Sequence, residues 1–226
     1  MRVPLWLEFG GRRVLVVGGG RVGTRRALKF LRAGAEVRVL SLWFSDELRR
    51  EASRNPRLVL VKADASDEQL LDELVKWADM VVIATDNREV NEKVWRMAEK
   101  YRKWVNDATD AERTQVVVPY EGEVHGLRFA VTSEGKTGVA ARHARDRIGE
   151  WLSRDRELQA LYDAMKEAKK ILKATIPDAK KRFPIYFEIE KDAEFMEAVR
   201  RGDVEAAVRR AKEIIEAEAS RLQKPS

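Results

Sequence analysis

The most telling spacing in the chain is Gly18-Gly19-Gly20-Arg21-Val22-Gly23, which fits GxGxxG. Glycines at its first, third and sixth places permit a tight turn, a close backbone approach to a ligand, and close helix–strand packing. Amides opening the next helix would then meet phosphates at its positive end. Gly18, Gly20, Arg21, Val22 and Gly23 are therefore candidate contacts for a dinucleotide pyrophosphate. A turn without a ligand is the competing reading. The acid that commonly ends the second strand, to bind the adenine ribose, is missing, and Ser41-Leu42-Trp43 stands there. Ser41 or backbone groups would hold the ribose, with Leu42 and Trp43 walling the adenine; ordinary core packing is the other reading of Trp43. Arg38 could favour a 2′-phosphate, so the motif alone does not separate NAD from NADP. Further on, Thr85 and Asp86 follow an apolar run and are placed to meet the nicotinamide half. Asp86 serves equally well as the N-cap of the next helix.

These residues need a frame, and the first half supplies one in strict alternation. Segments 13–17 (RVLVV), 36–40 (EVRVL), 58–61 (LVLV) and 80–84 (MVVIA) read as buried parallel strands, with Trp104-Val105 a fifth. Helices are expected over 21–32, from Ser45-Asp46, over 66–76 behind a capping-box-like Ser66-Asp67-Glu68-Gln69, and over 89–101. Such alternation predicts an α/β fold with a doubly wound parallel sheet. After about residue 113 the pattern changes. Residues 115–119 (QVVVP), 124–125 and 128–132 read as strands of a separate, antiparallel or dimer-forming layer. From Gly138 onward the chain is helical, with Leu158, Leu161, Tyr162, Met165, Ala168 and Leu172 at helical spacing and Asp192 and Asp203 as N-caps. The expected domains are 1–113, a strand-rich dimerisation and active-site region 114–147, and a helical domain 148–226.

Composition limits the chemistry. The 226 residues include no cysteine and two histidines, His125 and His143. That excludes disulfides, thiolate nucleophiles and cysteine or histidine-rich metal centres. Carboxylates, hydroxyls or a bound cofactor must do the work. No stretch reads as a secretory h-region or a membrane span, so a cytoplasmic protein is expected. Abundant Lys, Arg and Glu beside four Asn and four Gln suggest a heat-adapted source. The net charge of +6, from 44 basic and 38 acidic residues, reads as a mixed surface, with no basic cluster of a nucleic-acid arm.

With these segments placed, the chain resembles the precorrin-2 dehydrogenases of siroheme synthesis, which also form the N-terminal part of siroheme synthases. The resemblance rests on Pro4-Leu5-Trp6-Leu7, the run Val14–Leu40, VVIATDNREVN at 81–91, Val105-Asn106-Asp107, and VTSEGKTGVAARHAR at 131–145. It implies a Rossmann-type domain, NAD as hydride acceptor, oxidation of precorrin-2 to sirohydrochlorin, and a homodimer joined through the middle region. It also implies phosphate contacts at Arg21-Val22 and a further cofactor contact near Leu42-Trp43. The family's acid after its VN pair falls on Thr109 by direct count, and Asp110 is taken as the catalytic general base, with Asp107 the alternative. Asn106, Ser133, Lys136 and Arg142 are expected to bind the carboxylate-rich tetrapyrrole. Some family members also insert Fe²⁺. With no cysteine and a displaced aspartate, weak or absent ferrochelatase activity and no resident metal are expected here. A regulatory module that senses NAD(H) without turnover is the alternative function.

Overall fold

The computed structural model describes residues 2–223, which fall into two compact units. The first comprises residues up to 119 together with 132–138; the second comprises 120–131 and the chain from 139 on.

The first unit is a five-stranded parallel sheet ordered β3-β2-β1-β4-β5, built from β1 Arg13–Val17, β2 Glu36–Ser41, β3 Leu58–Lys62, β4 Met80–Ile83 and β5 Trp104–Asp107. Helices α1 Arg21–Arg32, α2 Asp46–Ala52, α3 Glu68–Trp77 and α4 Arg88–Lys100 connect them. Strand side chains alternate between two cores, as the period of two requires. Val14, Val16, Val37, Val39 and Val82 pack with Ala27, Leu28, Phe30 and Leu31 of α1 and Leu48 of α2. Leu15, Val17, Leu40, Val81, Ile83 and Val105 pack with Leu71, Leu74 and Val75 of α3 and Val94 and Ala98 of α4. Both faces are covered, which is why these strands read as continuous apolar runs. The strand order reverses between β1 and β4, and ligands of such sheets bind at that switch point, beyond the carboxyl ends of the strands.

Two helix starts differ from expectation. Asp67, not Ser66, caps α3, accepting from Leu70 N at 3.1 Å. Asn87, not Asp86, caps α4, its Oδ1 accepting from Glu89 N and Val90 N. In each case the residue next to the helix holds the geometry in which a side-chain oxygen meets the first free amides.

Residues 115–119 form no strand, contrary to the pattern reading. Gln115 N and Val116 N both donate to Val105 O, and Val116 and Val118 pack against the α1-side core. A three-valine run ending at Pro119, which has no amide hydrogen, covers the edge of β5 instead of extending the sheet.

In the second unit, β6 Tyr120–Val124 and β7 Leu127–Val131 form an antiparallel hairpin. The strands expected at 124–125 and 128–132 are thus displaced, because His125 and Gly126 make the turn, both with positive φ (50° and 80°). Five helices follow: α5 Gly138–Arg154, α6 Arg156–Thr175, α7 Ala179–Lys191, α8 Ala193–Arg200 and α9 Val204–Gln223. Asp192 caps α8, and Asp203 caps α9, its Oδ1 accepting from Ala206 N, as expected. On α6 the fully buried stripe is Ala160, Ala164, Ala168 and Leu172; Leu158, Leu161, Tyr162 and Met165 are only half-buried. Small residues let the neighbouring helices approach closely, and the larger ones fill the flanks.

Candidate functional site

The glycine loop is held almost wholly by backbone. Gly18 N donates to Leu40 O at 2.9 Å, and with φ +116° Gly18 occupies a conformation that side chains disfavour. A Cβ there would run into the Ala84 carbonyl, one at Gly19 into the Trp43 carbonyl, and one at Gly23 into the Gly18 carbonyl. Gly20 differs: the nearest atoms to an added Cβ are ring carbons of Trp43 at 3.6 Å and 3.7 Å. The Trp43 ring therefore borders the loop, and at 58% exposure it is not a core residue. Leu42 is likewise exposed.

Thr24 and Ser45, which the sequence reading did not single out as site residues, lock this loop. The buried Thr24 hydroxyl lies 2.9 Å from Ser45 Oγ and 3.4 Å from Gly19 O, and Ser45 N donates to Gly19 O at 3.2 Å. Ser45 Oγ also caps α2 through Leu48 N. A threonine one place beyond the motif is the signal that could have marked it. At the start of α1, Gly20 is the N-cap with no side-chain cap, and the first turn holds no acid but does hold Arg21. Amides left free in this way, beside a cation, suit an anionic group such as a pyrophosphate. Arg38 is not part of this cradle. It stacks on Trp77 at 4.1 Å, towards the amino end of the strands.

At the end of β4, Thr85 Oγ1 donates to Asn91 Oδ1 at 2.5 Å, and Asn91 Nδ2 returns to Thr85 O at 3.1 Å. The hydroxyl is thus engaged within its own turn, and Asp86 is the exposed side chain there. Asn91 also reaches Thr109 Oγ1 at 3.4 Å, linking β4 to the loop after β5.

That loop is organised around Asp107, whose side chain is 0% exposed. Its Oδ1 accepts from Thr109 N (2.8 Å), Thr109 Oγ1 (2.7 Å) and Asp110 N (3.2 Å), while Oδ2 meets Arg113 Nε at 2.7 Å. Arg113 also contacts Glu92 at 2.6 Å. Burial works against the Arg113 charge, but Asp107 and Glu92 outweigh it and hold the guanidinium more basic than usual. Glu92 is held below the usual carboxylate range by Arg96 and then Arg113. Asp110 is placed differently. Its side chain is 45% exposed, with Oδ1 accepting from Glu112 N and Oδ2 3.7 Å from Arg113.

The structure brings Asp110 beside the Ser133–Lys136 turn. Arg2 ties the two together, donating to Ala111 O and Thr114 O at 2.7 Å and 2.8 Å and pairing with Glu134 at 3.2 Å. Gly135 packs so closely on Ala111 that a Cβ would overlap it. Ser133 Oγ accepts from Thr137 N at 2.8 Å, shaping the turn, and Lys136 is exposed. Arg2 was missed by the sequence reading because its partners lie more than a hundred residues away. Asn106 lies buried below the loop, Nδ2 donating to Val116 O at 2.8 Å and Oδ1 without a hydrogen-bond partner. Arg142 belongs to the second unit, exposed on α5. Among the described residues no group of three or more His, Asp or Glu is arranged to hold a metal ion. No described helix is long and apolar enough to cross a membrane.

A family model described as "Putative NAD(P)-binding" matches residues 5–120. The "Putative precorrin-2 dehydrogenase" of Methanocaldococcus jannaschii is 32% identical over 203 residues, covering 88% of this chain and 95% of that protein. A siroheme synthase of Neisseria meningitidis serogroup C is 32% identical over 145 residues, 64% of this chain but 29% of the longer protein. Among solved structures, "SirC, precorrin-2 dehydrogenase" shares the fold with a TM-score of 0.70, at 21% identity over 96% of this chain and all of that one. By the extent of these matches, the chain belongs to the NAD(P)-binding family of the precorrin-2 dehydrogenases.

Proposed function

We propose that this protein oxidises precorrin-2 to sirohydrochlorin with NAD as the acceptor. The observation that carries the reading is the pairing, at one edge of one sheet, of an uncapped glycine loop with a solvent-accessible carboxylate, Asp110, beside the Ser133–Lys136 turn. When bound, NAD would supply the acceptor for a hydride from the reduced macrocycle. The amides of Gly20, Arg21 and Val22 would hold the pyrophosphate, with the closely packed Gly18 and Gly23 fixing the loop behind them, and Ser41, Leu42 and Trp43 would line the adenosine end. Thr85, at the end of β4, borders the nicotinamide side through the turn that Asn91 fixes.

The chain's own share of the chemistry is a proton. Removing two hydrogens from the substrate as hydride and proton requires a base for the second, and Asp110 is the solvent-accessible carboxylate placed to receive it. Asp107 is a positioning residue: its four bonds engage both oxygens and fix the backbone on which Asp110 rides. Lys136, on the turn that Ser133 shapes, is an exposed cation suited to the substrate's carboxylates, and so, on the second unit, is Arg142; Asn106, whose Nδ2 holds Val116 O, is read as a further substrate contact. β6 and β7 pair only with one another among the described strands, which leaves edges for a second copy, and we read the region 114–147 as the homodimer contact. The absence of cysteine supports a cytoplasmic setting. Fe²⁺ insertion is not part of the reading, and an anaerobic comparison of sirohydrochlorin metallation with and without protein tests that.

The central test is anaerobic NADH formation from precorrin-2 by the purified protein. Turnover that is lost in Asp110→Asn supports the proposal. Binding of NAD(H) without turnover would instead make the protein a nucleotide sensor, and loss in Asp107→Asn alone would remove Asp110 from its role.

A further inference from the structure

We propose that the adenosine end of the coenzyme site does not reject a 2′-phosphate, that Lys62 is its counter-charge, and that the protein binds NADP(H) about as well as NAD(H). The inference rests on the dinucleotide reading above and concerns only the far end of that ligand. Ser41 is the last residue of β2 and shares the face of Val37 and Val39, the side on which α1 and α2 pack. Its Cβ lies 3.1 Å from where a Cβ on Gly19 would stand, so it borders the glycine loop directly. An acid at this point hydrogen-bonds the ribose diol and repels a phosphate by like charge; a serine hydroxyl bonds either without repulsion.

Lys62 is the residue opposite Ser41 in the β2–β3 register. It lies on the face of Leu58 and Leu60, which pack into the same core as Val37 and Val39, so Lys62 and Ser41 share one face at the carboxyl edge. Lys62 is exposed and makes no ion pair among the described residues. The neighbouring acids are otherwise engaged. Asp64 accepts from Ser66 N at 2.8 Å, a bond that holds its carboxyl below the usual range, and Asp46 and Glu47 occupy the first turn of α2, where its dipole favours them. Arg38, the other cation of β2, is held on Trp77.

Calorimetric titration of the apo protein with NADH and with NADPH tests this without turnover. Dissociation constants within about fivefold of each other are expected, with Lys62→Ala weakening NADPH about tenfold and NADH less than about twofold. Ser41→Asp should weaken NADPH by more than about tenfold and leave NADH unchanged or tighter. Lys62 is exposed, so its variant folds even where the half-buried Ser41 change disturbs the loop. A wild-type preference for NADH of tenfold or more overturns the proposal, as does a Lys62→Ala protein that keeps its full NADPH affinity. Failure of the wild type to bind either nucleotide overturns the dinucleotide reading itself, and the inference with it.

Discussion

The two loops at the carboxyl edge of the sheet are built on opposite principles. After β1, residues 18–23 work by lacking side chains: three of the four glycines lie where a Cβ would strike a carbonyl, and the first helical turn carries no cap. After β5, residues 107–114 work by having side chains that saturate one another, with Asp107 accepting four bonds and Arg113 spanning two carboxylates. A phosphate cradle needs amides exposed to the ligand. The proposed proton acceptor needs an accessible carboxylate on a fixed backbone, and the loop buries Asp107 while leaving the Asp110 side chain 45% exposed.

The sharpest way to break this contrast is to separate the two aspartates. Asp110→Asn should lower kcat by about 10²–10⁴-fold with little change in Tm, since its contacts are half-exposed and weak. Asp107→Asn should act first on stability. Removing the charge facing the buried Arg113 side of the loop costs about 3 kcal/mol, readable as a lower denaturation midpoint, and activity falls because the loop loosens. In the glycine loop the comparison is between two alanines. Gly23→Ala forces the Gly18 carbonyl aside and should destabilise by about 1–3 kcal/mol. Gly20→Ala, with φ −77° and only ordinary contact to Trp43, should leave thermal unfolding of the apo protein within about 1 kcal/mol of wild type.

The smallest effect concerns an exposed network that lacks the burial of Asp107. Asp72 pairs with Lys76 at 2.6 Å and accepts from Tyr101 at 2.5 Å, which together bring its carboxyl down from 3.8 to about 2. Because its folded pKa is depressed, its contribution is complete above about pH 4 and disappears as pH falls towards 2. The Tm difference between wild type and Asp72→Asn should therefore be constant at neutral pH and shrink across that acid window. A difference that grows on acidification would contradict the assignment.

The glycine loop was legible because its requirements are local. GxGxxG between an apolar strand and a helix defines its own geometry within a dozen residues, and the alternation of runs and amphipathic segments named the α/β sheet. The segment 115–119 was misread because an apolar run ending in proline looks the same whether it joins a sheet or caps its edge. The caps were misplaced by one residue at Ser66 and Asp86, where neighbouring residues of similar capping power compete and only the chain's entry angle selects one. Asp110 is preferred to Asp107 only by counting along the family resemblance; both are acids in one turn, and nothing local in the sequence says which of them is buried.

By itself, then, the sequence determined whatever depends on backbone conformation and short-range periodicity: the order of strands and helices, the glycine loop between β1 and α1, and the absence of cysteine chemistry. Tertiary structure alone decided which acid is buried, that Arg2 joins the Asp110 loop to the turn at 133–136, and that Thr24 and Ser45 fasten the glycine loop. Burial and long-range pairing decide which carboxylate stays accessible to solvent, and both depend on residues that meet only when the chain is folded.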